Sequence, residues 1–492
     1  MPKPLDLDYG DVQTVIDSGP QEVSWVQQEL SGVDLGDTRI DRRLIKTAEQ
    51  LARSPISPIN EACGTWADTK ASYRLFNNTK AKPAAILKPH TNETVKRMVA
   101  CGETVLVMQD TVFFSYGKHP KTEGIGPIGK TNNSGDRGLV MHNALAFTAS
   151  GLVLGIVSQQ IWARKDVPNE TRQEKIERLM CTPVDEKESS KWLKALRETV
   201  GRTPPGVRVV TVADRESDFF EFMAEAADLR ALYLIRARID RKLDVDDGFV
   251  DMTEAITAAP VLGTLTVDIP GNGKRKARTA VVVIRSAEVT INPPETRGQA
   301  KAMAPIAPVT INVVAATETL PPAGCEAISW VLLTNLPVKD FDAAAEKVEW
   351  YGSRWGIEIW HKVLKSGCKV EDCLLETGDR LKRFLTLFSI IGFRLMHITY
   401  FARVKPDAPS TKLFSEEEVE TLHIRVKRTE PPREPPTIKE AVGMIGSLGG
   451  HLGRQADGEP GTTVLWRGMM RLFECVEALR AYKEILNARN TS

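Results

Sequence analysis

The chain has 492 residues, 42% of them hydrophobic and 26% charged, with a net charge of +1. That length can bury a large core and suggests two or three domains. So neutral a balance excludes a protein that attracts polyanions by bulk charge, and leaves local basic patches to do so.

Seven cysteines, scattered and odd in number, suit a reducing cytoplasm better than a disulfide framework. The first residues, MPKPLDLDYGD, are acidic and lack the apolar run of a signal peptide. Residues 24–100 read as helical. Ser24, Trp25 and Val26 open one segment, and a second begins at Leu35-Gly36-Asp37. In the second, Ile40, Leu44, Ala48 and Leu51 recur at helical spacing, while Arg39, Arg42 and Arg43 project elsewhere. A third segment starts at Trp66 and carries Arg74. Read by themselves, these segments form a small bundle with solvated arginines. Lys80, Lys82, Lys88, Lys96 and Arg97 then follow against the single acid Glu93.

Residues 104–109, TVLVMQ, are a β-rich apolar run that Asp110 is expected to end. Residues 138–147 and 152–162 predict two more strands around a Ser150-Gly151 turn, an order that suits an RNase-H-like sheet. The Gly-, Asn- and Pro-rich stretch 118–137 reads as a loop. A helix is expected from about Glu186 through Trp192 to Val200. VRVVTVA, residues 207–213, is a strand closed by Asp214, with a helix opening at Arg215. ALYLIRAR, residues 231–238, is another strand and delivers Arg236 and Arg238. An aspartate at a strand end is, taken singly, a common turn residue.

From Asp214 to Glu358 is 358 − 214 = 144 residues. A compact core needs fewer, so a β-rich inserted domain is expected at about 242–327, with GNGKRK (271–276) as a basic hairpin tip. Trp330 follows in the strand ISWVLLT. Residues 350–369, WYGSRWGIEIWHKVLKSGCK, predict one helix. With Tyr351 at zero and ~100° per residue, Arg354, Glu358, Lys362 and Lys365 join it within an arc of roughly 80°. A carboxylate among cations suits a metal and a phosphate together. It equally suits a solvated face with an i,i+4 pair such as Glu358–Lys362. Cys368 and Cys373 lie near His361, but no second Cys/His pair completes a zinc site. Residues 384–402 are apolar yet interrupted by Arg394 and His397, as in a buried helix rather than a membrane span. Residues 404–437, with PPREPP, read as a polar linker or exposed hairpin, and 438–448 and 464–486 as a last helical unit.

The run Tyr351-x-x-Arg354-x-x-x-Glu358 followed by Lys365 resembles the YREK signature of the DDE transposases of the insertion-sequence-four family. The likeness extends through Trp355, Ile357, His361 and Lys362. ADRESD around Asp214 and DEKESSKW before it are similar to the same family. So are LGDTR, KASYRLFNN and, towards the carboxy terminus, Leu448-Gly449-Gly450 with Trp466. The resemblance runs from about residue 25 to 485. It implies an α/β, RNase-H-like (retroviral-integrase-like) catalytic core over 101–403, with the β-rich insertion. A helical DNA-binding domain over 1–100 and a helical dimerisation domain over 438–492 flank it, the latter after the linker. It implies Asp110, Asp214 and Glu358 as the catalytic carboxylates, holding two Mg2+ ions, with Mn2+ as a substitute, for phosphoryl transfer. It further implies that Tyr351, Arg354, Lys362 and Lys365 grip end phosphates and that Trp330 stacks on a flipped base. Arg236, Arg238, Arg39, Arg42, Arg43 and Arg74 are candidate DNA contacts. The expected partners are double-stranded DNA (terminal inverted repeats and target) and a second copy of the chain. No membrane is expected, and the place is a bacterial cytoplasm beside the nucleoid. The expected activity is cut-and-paste transposition, through a hairpin at the cleaved end. The rivals are a silent end-binding protein and an RNase-H-like nuclease without transposition. The intact acidic trio speaks against the first; Trp330 and the terminal helices speak against the second.

Overall fold

A computed structural model describes residues 24–129, 136–166, 170–245, 248–269, 277–294, 307–454 and 458–490. Its first elements are α1 (Trp25–Glu29), α2 (Thr38–Arg53), α3 (Ile59–Cys63), α4 (Trp66–Asn77) and α5 (Pro83–Ala100). Ser24, Asp37 and Thr65 accept backbone N–H groups at the starts of α1, α2 and α4, caps worth about 1 kcal/mol each. On α2 the stripe Leu44, Ala48 and Leu51 is buried, as the periodicity predicts, while Ile40 is half-buried. One ionic network fastens this bundle to the sheet. Glu29 is buried and accepts from Arg97 Nη1 at 2.6 Å and from His90 Nδ1 at 2.6 Å. His90 Nε2 accepts the Ile156 N–H at 3.0 Å, which fixes the proton on Nδ1.

The sheet begins with β1 (Val105–Ser115), β2 (Gly126–Pro127), β3 (Arg137–Thr148) and β4 (Val153–Trp162). After α6 (Arg172–Cys181) and α7 (Ser190–Arg202) come β5 (Val209–Ala213), α8 (Phe220–Asp228) and β6 (Leu232–Arg236). β3 pairs antiparallel with β1 and with β4; β5 pairs parallel with β1 and with β6. Three antiparallel strands continued by two parallel ones is the RNase-H-like order. Asp110 does not end its strand, as the sequence led us to expect. β1 runs on to Ser115 against β3, but its parallel pairing with β5 stops at Met108. The sheet therefore splits open just before Asp110, and Asp214 follows β5 at the same edge.

The β-rich stretch is built onto the core sheet. β7 (Lys242–Val245) and β8 (Gly248–Asp251) form a small hairpin sheet, followed by α9 (Met252–Ala258). Then β9 (Val261–Ile269), β10 (Arg278–Ile291), β11 (Val309–Glu318) and β12 (Ser329–Thr334) do not fold away from the core. They continue its sheet in the order β6-β12-β11-β10-β9. Val313, Ala315 and Leu333 share one apolar cluster with Tyr233 and Ile235, so the edge of β6 is covered rather than left unpaired. The basic tip at 271–276 lies outside the described residues.

The expected single helix over 350–369 is α10 (Phe341–Ser353) and α11 (Trp355–Lys362), meeting at Arg354. A π-helical turn, Val363–Gly367, follows, closed by the Cys368 N–H on the Val363 carbonyl at 2.8 Å. Arg354 keeps right-handed helical angles, so the chain direction carries through. α12 (Gly378–Val404) is long and apolar enough to cross a membrane, but 78% of its most apolar window is buried in the protein. The stretch expected as a linker contains α13 (Glu416–Lys427), with Val419, Thr421 and Leu422 buried. Its capping box at Ser415 and Glu418 explains why so polar a segment is helical. α14 (Ile438–Leu448) and α15 (Thr462–Asn490) close the chain. Ile445, Leu465 and Leu472 share a cluster with Val105, Val107 and Val157 of the sheet.

Candidate active site

Asp110 is mostly buried, with 16% of its side chain exposed. Asp214 leaves β5 and caps a short 3-10 turn, its Oδ1 accepting the Glu216 N–H at 2.9 Å. Glu358 stands on α11. That helix lies close to β3 because Gly356 meets it: a Cβ there would come within 2.8 Å of the Phe147 ring. One guanidinium stands against two of these acids, and its charge reaches the third, Asp214. Arg354 Nη2 donates to Glu358 Oε1 at 2.5 Å, and Nη1 is 3.8 Å from Asp110 Oδ2. Arg354 Nη1 is buried and has no hydrogen-bond partner.

The electrostatics follow from this arrangement. Burial pushes the Asp110 carboxyl up, but His361 and Arg354 outweigh it and hold the group below its usual range. Burial raises Asp214, and the negative charge of Asp110 adds to that. Arg354 loses hydration by burial, yet Asp110, Tyr351, Glu358 and Asp214 together push its pKa up. The two aspartates sense each other and both sense Arg354.

A polar layer under Asp110 completes the site. His361 Nδ1 is 3.6 Å from Asp110 Oδ2, an electrostatic contact longer than a hydrogen bond. Asn143, the register partner of Asp110, lies with Nδ2 3.4 Å from His361 Nε2 and accepts from Gln159 Nε2 at 3.0 Å. The Asn143 amide donates to Nε2, so the imidazole turns its Nδ1–H towards Asp110. Thr111 Oγ1 is 2.9 Å from His142 Nδ1, and the His142 ring packs edge-on against Trp192 at 4.5 Å. Of these, only His361 stands in the motif read from the sequence; its position three residues after Glu358 is the signal that places it on the site face. Asn143, Gln159 and His142 come from strands whose burial gives no such signal.

The proposed phosphate arc is only partly assembled. Lys362 is exposed, and Lys365 Nζ lies over the Phe114 ring, 3.8 Å from Glu371 Oε1. Tyr351 and Trp330 are instead buried, at 5% and 7% exposure, packed edge to face at 5.3 Å. Arg236 is half-buried and donates to the Ser329 carbonyl at 2.9 Å, while Arg238 is exposed. Arg39 pairs with its own cap Asp37, and Arg43 with Asp68 of α4. Arg42 and Arg74 are exposed on α2 and α4.

A carboxylate at the split between parallel and antiparallel strands, a second at the next strand end and a third on a helix laid across them define the DDE class of DNA-cleaving enzymes. Residues 22–81 match the family model described as transposase DNA-binding, and residues 170–391 match the transposase DDE domain. Residues 390–487 match the Tn5 transposase dimerisation domain. The chain carries transposase DNA-binding, DDE and Tn5-type dimerisation domains in that order, the domains of a DNA-cleaving transposase. The DDE match begins after Asp110 and spans the positions of Asp214 and Glu358. A solved structure described as a piggyBac transposase synaptic complex with hairpin DNA aligns over 80% of this chain and 76% of that chain. The likeness is loose, at 8% identity and a TM-score of 0.35.

Proposed function

We propose that this is a cut-and-paste transposase of the insertion-sequence-four type that binds terminal inverted repeats and pairs two ends as a homodimer. It then cleaves each end, through a hairpin, and joins the ends to target DNA. The observation that carries this is one buried guanidinium that pairs with Glu358, stands 3.8 Å from Asp110 and feels the charge of Asp214. Donors of that kind fit hard divalent cations, two Mg2+ with Mn2+ as substitute. Three carboxylates set against one guanidinium leave the cluster net negative, so it calls for more positive charge than Arg354 supplies.

Asp110, Asp214 and Glu358 would hold the ions, and the chemistry a metal pair supplies is activation of the attacking oxygen and stabilisation of the leaving one. His361, through its Nδ1–H, fixes the rotamer of Asp110. Lys362 and Lys365, on the open side, meet the phosphates on either side of the scissile bond. Trp330, once uncovered from Tyr351, is the platform on which a flipped base stacks during the hairpin step.

The test is single-turnover cleavage of a labelled duplex carrying the ends that flank the gene, with Mg2+. Asp110→Asn, Asp214→Asn and Glu358→Gln are expected to bind the duplex with unchanged affinity and not to nick it. Near-normal nicking by any one variant removes that residue from the site. Trp330→Ala is expected to nick at the wild-type rate and to accumulate no hairpin.

A further inference from the structure

We propose that Arg354 is the resident cation of the carboxylate cluster in the DNA-free protein. It must leave before a divalent ion is bound, so that metal loading waits for a DNA phosphate. This rests on the reading of Asp110, Asp214 and Glu358 as metal-holding residues, and it adds how that site is kept shut.

Among the described residues, no three His, Cys, Asp or Glu side chains stand close enough together to hold an ion. Arg354 occupies the space that such an ion needs. Its guanidinium is tied to Glu358 at 2.5 Å and stands 3.8 Å from Asp110, with 11% of the side chain exposed. A divalent ion and a guanidinium cannot share that volume, since like charges a few ångströms apart repel strongly. The guanidinium is also not at rest there. Nη1 is buried without an acceptor, and an unmet buried donor is costly. Its tether is short, because Glu358 is the residue one helical turn on and the backbone at Arg354 is the joint between α10 and α11. A rotamer change carries the guanidinium out without moving the helix.

Only an acceptor better than the cluster draws it out. A phosphate takes arginine in a bidentate grip that meets both Nη donors. Lys362 and Lys365 already mark where a phosphate would lie on the same helical run. When the guanidinium goes, three carboxylates are left with no counter-charge, and the site then binds divalent cations. DNA and metal therefore raise each other's affinity, as linkage requires. A free enzyme so arranged does not hydrolyse DNA it has not properly seated.

The experiment is Mn2+ binding to the full chain, by calorimetry and by the EPR signal of free Mn2+, with and without a short duplex carrying the gene's end sequence. Asp110→Asn with the same duplex subtracts the ions held by DNA alone. For the wild type we expect weak binding without DNA and binding roughly tenfold or more tighter with it. Arg354→Gln is expected to bind Mn2+ without DNA at least as tightly as the DNA-loaded wild type, with little further gain on adding duplex. Equal or weaker Mn2+ binding by Arg354→Gln, with the far-UV spectrum and melting point kept, overturns the proposal and leaves Arg354 a plain ion-pair partner. Should Arg354→Gln fail to fold, the wild type decides alone: duplex that leaves Mn2+ affinity unchanged also overturns it. Mn2+ binding that is the same in wild type and Asp110→Asn, with and without duplex, sinks instead the reading of the carboxylates as metal-holding.

Discussion

Two acids four residues apart in ADRESD do opposite things. Asp214 faces the cluster, where burial and the Asp110 charge oppose its ionisation. Asp218 is buried and accepts the Arg238 N–H at 2.6 Å, the Ile239 N–H at 3.1 Å and Arg241 Nη2 at 2.5 Å. Asp218→Ala leaves the Arg241 charge buried and unpaired, and should destabilise the protein by about 3–5 kcal/mol. Asp214→Asn removes a charge that the fold disfavours, so metal-free protein should unfold at an equal or higher urea concentration than wild type. Urea melts of the two variants, side by side, check both. His361 acts through Asp110. His361→Ala should lower cleavage and Mn2+ affinity together by about 10–100-fold, as loss of a ligand's supporting partner does. His361→Gln, which can still donate, should recover part of both; a variant that changes only thermal stability would show a packing role.

At the scale of the element, the region after residue 340 shows what patterning leaves out. Spacing alone predicts one unbroken helix with Tyr351 beside Arg354. The guanidinium does lie over the Tyr351 ring, at 5.9 Å, but the chain joins α10 and α11 at Arg354 and then widens into a π turn, a device often found at functional sites. What spacing leaves out is that Tyr351 is buried on Trp330 while Glu358 stays half-exposed. Gly356 sets the height of α11 above β3. Gly356→Ala should drive the helix off the Phe147 ring, cost about 1–3 kcal/mol and slow cleavage through misplaced Glu358. A crystal structure or a urea melt reads the first effect, and single-turnover cleavage the second. Unchanged stability would mean that Phe147 yields and that the close approach is not what seats Glu358.

For the whole molecule, helices from both termini are built into the core. α14 and α15 bury side chains in one cluster with β1, β3 and β4, so cutting the chain after Lys439 would strip the sheet rather than just unlink two copies. Exposed apolar residues on α15 give a cleaner probe of assembly. Tyr482 and Ile485 are 57% and 53% exposed. Tyr482→Asp and Ile485→Asp should keep the fold and single-end binding but lose the paired-end complex on a native gel. At the other terminus, the network of Glu29, His90 and Arg97 makes the attachment acid-labile. Burial lowers the pKa of His90, and brings His397 on α12 down to about 3, so both are neutral in the fold. The unfolded chain then takes up protons that the folded one refuses, and stability is full above the unfolded histidine value and falls below it. The slope should reach about 1.4 kcal/mol per pH unit for His397 below pH ~6.5, and His90 adds loss in the same direction. Glu29, held low by Arg97 and His90 against its burial, adds loss in the same direction only below pH ~4. Denaturant melts from pH 7 to 5 measure it, and replacing His90 by Gln should flatten the curve.

Local pattern was enough to read the helices of the amino-terminal region, the strands that deliver Asp110 and Asp214, and the helical face that presents Glu358. Those features are local: a period of 2 or 3.6, a cap, a turn residue. The chain also carries the order of acids that points to a DDE site. That β1 passes Asp110 and parts from β5 just before it is visible only in the folded chain, because register is a property of pairs of strands. The folded chain likewise shows that the β-rich stretch covers the edge of β6 instead of standing apart, that 404–437 holds a packed helix, and that Tyr351 and Trp330 face each other in the core. The central fact of the site belongs to the same class. Arg354 reads from the sequence as one cation on a basic arc. Set against Glu358 on a helix and Asp110 within a strand, and in the field of Asp214 at the end of another, it is their common counter-charge, and no spacing along the chain carries that information.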